Sequence, residues 1–317
     1  MSTDMQIDHP SPTGHGLSSY GPGRHRRVVR RFLRHRLAVG SLIFLLLMTF
    51  GAVAAPLIAR SLGVDPFAVD LFNRFAPPGG ASLLGTDEVG RDLFTRLLHG
   101  GRVSLAVGLT AAVFSAAIGT MIGLLAGFHG GRVDAILMRV TDGVIALPIL
   151  PLLIVLAAVD LSKLGLTAES AGSETADLAR LIAIIAAVGW PTVARLVRAE
   201  TLSLKTRDYV TAARALGARP GRIMRRHILP NALAVVVVAT TLSIGNIILL
   251  ESVLSFLGLG IQPPTASWGN MLTNAQDLVW SEPHLAVWPG LMIFATVIAF
   301  NFLGDGLQDA LDPKAGD

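Results

Sequence analysis

The chain has 317 residues, of which 52% are apolar and only 15% charged, with a mean hydropathy of +0.59. A soluble domain carries roughly a quarter charged residues, so the charges here are too few to cover a water-facing surface; disorder, collagen, coiled coil and a cytosolic enzyme are excluded. The net charge is +4 and there is no cysteine, which removes disulfides, thiolate zinc sites, iron–sulfur clusters and cysteine nucleophiles.

In chain order, residues 1–30 read as a disordered cytoplasmic tail rich in Ser, Pro, Gly and His. Arg24, Arg26, Arg27, Arg30, Arg31, Arg34 and Arg36 then precede the first apolar block, 37–58. A basic run before an apolar run also describes a secretory signal, with Ala52-Val-Ala54 as a cleavage site. This run, however, is long enough to span, and more blocks follow at 103–128, 135–159, 178–196, 231–250 and 286–303. About 20 apolar residues cross a bilayer core of about 30 Å, and a crossing segment must close its own backbone hydrogen bonds as a helix. The expectation is an all-α integral membrane protein of six transmembrane helices. It divides into the tail, a first span with a long outer loop (31–102), and a five-helix core (103–313) carrying a cytoplasmic loop at 198–230. The 26 lysines and arginines split 19 to 7 between the two sides, which places both termini in the cytoplasm. The basic excess is therefore a topology signal, and no nucleic-acid partner is expected. The outer segments are long, near 59–102, 160–177 and 251–285.

Within the spans, Gly119, Gly123 and Gly127 form a doubled G-x-x-x-G, which suits internal helix packing or a subunit interface. Pro148 and Pro151 are expected to kink the third span. On the fifth span, Thr240, Ser243, Asn246 and Glu251 fall within an arc of roughly 140° at about 100° per residue. Such groups face a cavity or a partner helix, so they line a cavity or bind helices together, with Glu251 at the outer mouth in contact with solvent.

Motifs for chemistry are missing. There is no G-x-x-x-x-G-K-[ST], H-E-x-x-H or G-x-S-x-G. The eight histidines never pair at i,i+4, and Asp142 and Asp305 do not make a catalytic pair. No catalytic residue and no metal site is expected in this chain.

The loop at 198–230 is the informative segment. Asp208–Leu216 reads as a short helix, with Asp208 as its N-cap and Gly217 as its left-handed stop. Pro220 fits the first turn of a second short helix. Tyr209, Ala212, Ala213 and Leu216 share one face, with Thr211 and Arg214 opposite. So short a helix does not stabilise itself. Its stripe must pack, either in a groove on a partner or on the membrane surface.

That loop, Tyr209-Val-Thr-Ala-Ala-Arg-Ala-Leu-Gly217 through His227-Ile-Leu-Pro-Asn231, resembles the one that defines permease subunits of ABC importers. Ala212, Ala213, Gly217, Leu229 and Pro230 match the family pattern; Thr211 stands where glutamate is usual, and Ile228 is displaced. Gly85-Thr-Asp-Glu-Val-Gly-Arg-Asp92, with Arg96 and Gly100-Gly-Arg-Val-Ser-Leu105, resembles the outer signature of dipeptide/oligopeptide/nickel permeases. The basic arm, Ser255-Phe-Leu-Gly-Leu-Gly260 and Trp268-Gly269 are similar to the second, C-type subunit. The resemblance covers residues 24–313.

It implies the type I ABC importer permease fold in a bacterial cytoplasmic membrane, surrounded by lipid. It also implies a heterodimer with a homologous second permease, two cytoplasmic ABC ATPases and an extracytoplasmic substrate-binding protein. ATP and Mg would sit on the ATPases, so this chain needs no cofactor and is not itself an enzyme. Tyr209, Thr211, Ala212, Ala213, Arg214, Leu216, Gly217 and Arg222 would form the ATPase-coupling helix and its surroundings. Ser243, Asn246 and Glu251 would contribute to the path. Gly85, Thr86, Asp87, Gly90, Arg91 and Asp92 would form an ion-paired outer turn or touch the binding protein or second permease. Peptides are the expected cargo, although look-alike permeases carry nickel, opines and glycosides. A membrane scaffold or sensor that recruits a cytoplasmic partner through the same helix is the alternative class.

Overall fold

Long apolar runs set the helices of this chain, and proline, glycine and pre-proline residues set where they stop. The computed structural model describes residues 23–80, 82–159, 174–273 and 275–312. Helix α1 (Gly23–Arg34) is divided from α2 (Arg36–Leu62) by His35, whose Nδ1 accepts the Ala38 N–H at 3.1 Å and so caps α2. A helix thus begins at Gly23, inside the segment expected to be a tail. Val28 and Phe32 recur one turn apart and pack, which the tail's average composition conceals. Residues 1–22 lie outside the described residues.

Asp92 caps α3 (Leu93–His129), accepting the Thr95 N–H at 2.8 Å. At 1.5 Å per residue, these 37 residues run about 55 Å, well beyond a core of about 30 Å. The extra length extends outward, where Gly100 and Gly101 let Trp268 lie on the helix.

The third span departs from expectation. It is two helices, α4 (Gly131–Ala146) and α5 (Ile149–Ala157), set at 88°. Pro148 holds Leu147 extended (ψ 137°) and is itself non-helical (ψ 114°), so two successive residues leave the helix and the result is a break rather than a kink. The fourth span is also a pair, α6 (Glu174–Gly189) and α7 (Pro191–Leu204), bent by 44° at Pro191. Most of the outer segment expected at 160–177 lies outside the described residues. After α8 (Asp208–Ala215), Pro220–Ile223 and a π-helical turn, Met224–Ile228, run directly into α9 (Leu229–Phe256). Helix α10 (His284–Leu311) is the last of the helices among the described residues.

Among the described residues, four helices are long and apolar enough to cross a membrane, and up to six spans result if each bent pair counts as one. The chain is an all-α, multi-pass membrane protein. Leu46, Leu47, Phe50, Val53 and Leu57 of α2 are exposed, as side chains facing lipid or another subunit would be.

Helix α3 is the axis of the fold and packs against α2, α6, α7 and α9. Its tightest contact is with α7. A β-carbon on Gly119 would lie 2.6 Å from the Trp190 carbonyl oxygen, one on Gly123 2.5 Å from that of Ala194, and one on Gly127 2.7 Å from Thr201 Cβ. The doubled glycine motif is therefore an internal seam.

Gly123→Leu should force α3 off α7, at a cost of at least about 1–3 kcal/mol. Gly143→Leu, with nothing within 4 Å of the added carbon, should be neutral. Thermal unfolding of the two variants in detergent checks this; equal midpoints would contradict the seam.

Candidate functional site: a protruding helix and its mounts

Helix α8 joins α7 to the segment that becomes α9. Lys205 ends α7 and its Nζ donates to the Gly127 carbonyl at 2.7 Å, fixing the exit from the glycine seam. Arg207, extended at ψ 148°, is the N-cap and makes no side-chain capping bond. Asp208 sits in the first turn instead of capping, where its carboxylate still suits the positive helix end. At the other end, Gly217 is left-handed (φ 78°), Gly217 N–H donates to Arg214 O and Ala218 N–H to Ala213 O. This is the glycine stop expected from the sequence.

One side chain anchors α8. Val210 is fully buried with Leu204, Ile223, Ile228 and Ala232, beside Leu124 and Phe128. Ala213 is half-buried, and the Arg214 guanidinium lies 6.0 Å over the Phe128 ring. The stripe expected to pack divides accordingly. Ala212 and Leu216 turn away from the protein, Leu216 with 88% of its surface exposed, while Tyr209 is 42% exposed and its ring lies 6.4 Å from that of His227. Thr211, Gly217 and Arg222 are also exposed. An isolated apolar valine is a weak signal beside a four-residue stripe, and so Val210 escaped the sequence reading.

The mount is braced by two ion pairs that spacing did not reveal. Arg198 grips Asp134 with two hydrogen bonds, Nε to Oδ1 at 2.5 Å and Nη2 to Oδ2 at 2.6 Å, and Arg195 pairs with Asp142. Both join α7 to α4. Asp134 and Asp142 lie two turns apart and Arg195 and Arg198 one turn apart, but nothing local says that these helices meet.

The outer turn 85–92 folds on itself. Asp87 accepts the backbone N–H groups of Val89 (3.0 Å) and Arg91 (2.9 Å) and the Arg91 Nε (2.7 Å), with Arg96 Nε at 3.5 Å. Thr86 donates to Asn73 O and accepts from Ala76 N–H; Asp92 caps α3. Gly85 (φ 85°) and Gly90 (φ 79°) are left-handed, and a β-carbon on Gly90 would fall 1.8 Å from Asp70 O. Thr86, Asp87 and Asp92 are buried and Arg91 half-buried, so the geometry matches the ion-paired turn.

The polar arc on α9 separates into unlike parts. Thr240 and Ser243 bond back to their own helix at 2.7 Å, and Asn246 is exposed. Thr240 lies in an apolar groove of about 500 Å³ between α3 and α9, lined by Val113, Thr120, Met121, Leu233 and Val236. Glu251 corrects the expectation of a solvated mouth residue. It is 0% exposed and receives the hydroxyls of Ser104 (3.0 Å), Ser255 (2.8 Å) and Ser252 (3.4 Å). Ser104 in turn accepts the Trp268 N–H at 3.2 Å, and Ser255 accepts that of Ile261 at 3.1 Å. The carboxylate therefore ties α3, α9 and the segment after α9 together, away from the groove. Ser252 and Ser255 are neighbours on the same helix, but Ser104 on α3 is 147 positions away, so helical periodicity could not show that the site is closed from α3.

Residues 119–317 match the family described as the binding-protein-dependent transport system inner membrane component. The chain belongs to that family. Residues 24–78 also match the N-terminal TM domain of oligopeptide transport permease C. A putative peptide permease protein of Brucella ovis is 40% identical over 295 residues, covering 92% of each chain. The glutathione transport system permease protein GsiD of Pectobacterium atrosepticum is 42% identical over 289 residues, 91% of each. A putative peptide transport system permease protein of Brucella abortus is 40% identical over 304 residues, 96% of this chain and 97% of its own. In this inner membrane component, the matched family region takes in the glycine seam, α8 and Glu251.

Glu251→Ala leaves buried serine hydroxyls without an acceptor and should cost this permease about 1–3 kcal/mol, whereas Asn246→Ala on the exposed face should leave stability unchanged. Thermal unfolding of both purified variants tests it; an unchanged midpoint for Glu251→Ala would rule out the serine cage as a structural tie.

Proposed function

We propose that this chain is the C-type permease of an ATP-driven peptide importer, paired with a homologous second permease. Two cytoplasmic ABC ATPases bind ATP and Mg and drive it, and an extracytoplasmic binding protein delivers the cargo. The observation that carries the reading is α8: a helix held by one buried valine, with Ala212 and Leu216 turned outward. Such an exposed apolar ridge on a charged loop suits a groove on a partner. The peptide cargo is supported by the names of the relatives, and the orientation by the excess of lysine and arginine on the side of α8, which puts both termini in the cytoplasm of the bacterial inner membrane.

The local mechanics support coupling. Force applied to α8 passes one way through Lys205 and the glycine seam into α7 and α3. It passes the other way through Pro220 into the continuous helix that ends at Phe256. The paired Asp134–Arg198 and Asp142–Arg195 bridges carry α4 with α7. Thr211, exposed on α8, replaces a carboxylate contact to the ATPase with a hydroxyl; Ala212, Ala213 and Gly217 supply close approach, and Arg214 and Arg222 the surrounding charge. The second permease covers the groove between α3 and α9, and the path runs between the two chains beside Ser243 and Asn246. The turn 85–92 shapes the outer face on which the binding protein docks.

Leu216→Asp would place a carboxylate in an apolar contact. It should lower peptide uptake by the reconstituted complex at least tenfold, about 1.4 kcal/mol, with membrane assembly intact because Leu216 touches little of its own chain. Gly217→Leu, at a left-handed position costing about 1–2 kcal/mol, should weaken uptake in the same direction. Wild-type uptake by Leu216→Asp would sink the coupling assignment.

A further inference from the structure

Helix α1 has a three-sided surface that the transport reading does not use. At about 100° per residue, Val28, Arg31 and Phe32 occupy one arc, and all three are partly buried. Helix α1 packs on α10 and α2, and Arg31 Nη1 donates to the Asp312 carbonyl at 3.0 Å. Val29 and Leu33 form a neighbouring apolar edge, 56% and 61% exposed. Arg26, Arg30 and Arg34 follow at four-residue spacing on the next arc, all exposed. No acidic residue occurs anywhere in Gly23–Arg34. One residue later α2 begins its apolar run at Leu37, itself exposed, so α1 lies at the level where the chain enters the membrane.

We propose that α1 is a headgroup-level anchor for anionic phospholipid, with Val29 and Leu33 entering the acyl boundary and Arg26, Arg30 and Arg34 holding phosphates. An apolar edge beside a cationic stripe is the arrangement that an interfacial helix requires. Arginine makes forked, charge-assisted hydrogen bonds to phosphate oxygens, and each basic residue near an anionic surface contributes roughly fivefold in affinity. An acidic protein surface would pair with the arginines but leave Val29 and Leu33 to be covered separately, whereas a phospholipid supplies both chemistries in one molecule. The inference concerns whichever leaflet faces the N-terminus and does not depend on the cargo or on α8.

The chain has no cysteine, so Leu33→Cys gives a single labelling site. The full-length protein carrying an environment-sensitive fluorophore there is placed in nanodiscs of phosphatidylglycerol with acyl chains brominated near the headgroup. Strong quenching is expected, falling about threefold or more in brominated phosphatidylcholine. The same fall is expected in phosphatidylglycerol when Arg26, Arg30 and Arg34 are all changed to Gln, in a protein that elutes as the parent does. Absence of quenching in phosphatidylglycerol would overturn the proposal. Quenching unaffected by headgroup charge or by the Gln changes would overturn the arginine–phosphate contact. Since the readout is fluorescence in a defined lipid, failure here leaves the transport reading standing, and failure of transport leaves this one standing.

Discussion

The close approach of α3 and α7 is the constraint from which the rest of this fold follows. Three glycines on successive turns leave no room for even a methyl group against Trp190 O, Ala194 O and Thr201. Two helices that near cannot slide independently, and the same seam ends at Gly127, whose carbonyl receives Lys205. The protruding helix is thus mounted where this close contact stops. In a bilayer, where lipid tails are as apolar as leucine, such close packing does what hydrophobic burial does in water.

The outer half is held differently. A fully buried carboxylate, Glu251, gathers serine hydroxyls from α3 and α9, and those serines accept backbone N–H groups from Trp268 and Ile261. Glycine again admits the partner: a β-carbon on Gly101 would lie 2.9 Å from the Trp268 ring, and one on Gly269 2.5 Å from Ser252 O. One end of the molecule is tied by polar satisfaction and the other by steric closeness. The helices between them, α3 and α9, run from the serine cage to the neighbourhood of α8.

Long, uniformly apolar segments were legible in the sequence. Helices α2, α3, α9 and α10 lie where hydropathy puts them, and the Gly217 stop, the Pro220 start and the glycine seam are local signals that the structure repeats. What the sequence hid depends on distant partners or on competition between neighbours. Pro148 signals a disturbance, but the 88° break arises because Leu147 and Pro148 leave helical space together. Glu251 looked like a mouth residue because its position near a span end is visible, whereas Ser104 on α3, which closes the site over it, is 147 positions away. The stripe on α8 is visible in the sequence; that Val210 holds the helix inward and leaves Leu216 outward required the cluster around Ile223 and Ile228. Helix α1 vanished into the average composition of a polar segment.

The central claim is that α8 meets a nucleotide-hydrolysing chain. With no native cysteine, Leu216→Cys places one reactive group at an 88% exposed position at the C-terminal end of that helix. Cross-linking it in native membranes, followed by mass-spectrometric identification of the attached chain, tests the claim directly. The account predicts a cytoplasmic protein carrying a G-x-x-x-x-G-K-[ST] phosphate loop. Attachment to lipid alone, or to a chain without that loop, would contradict it.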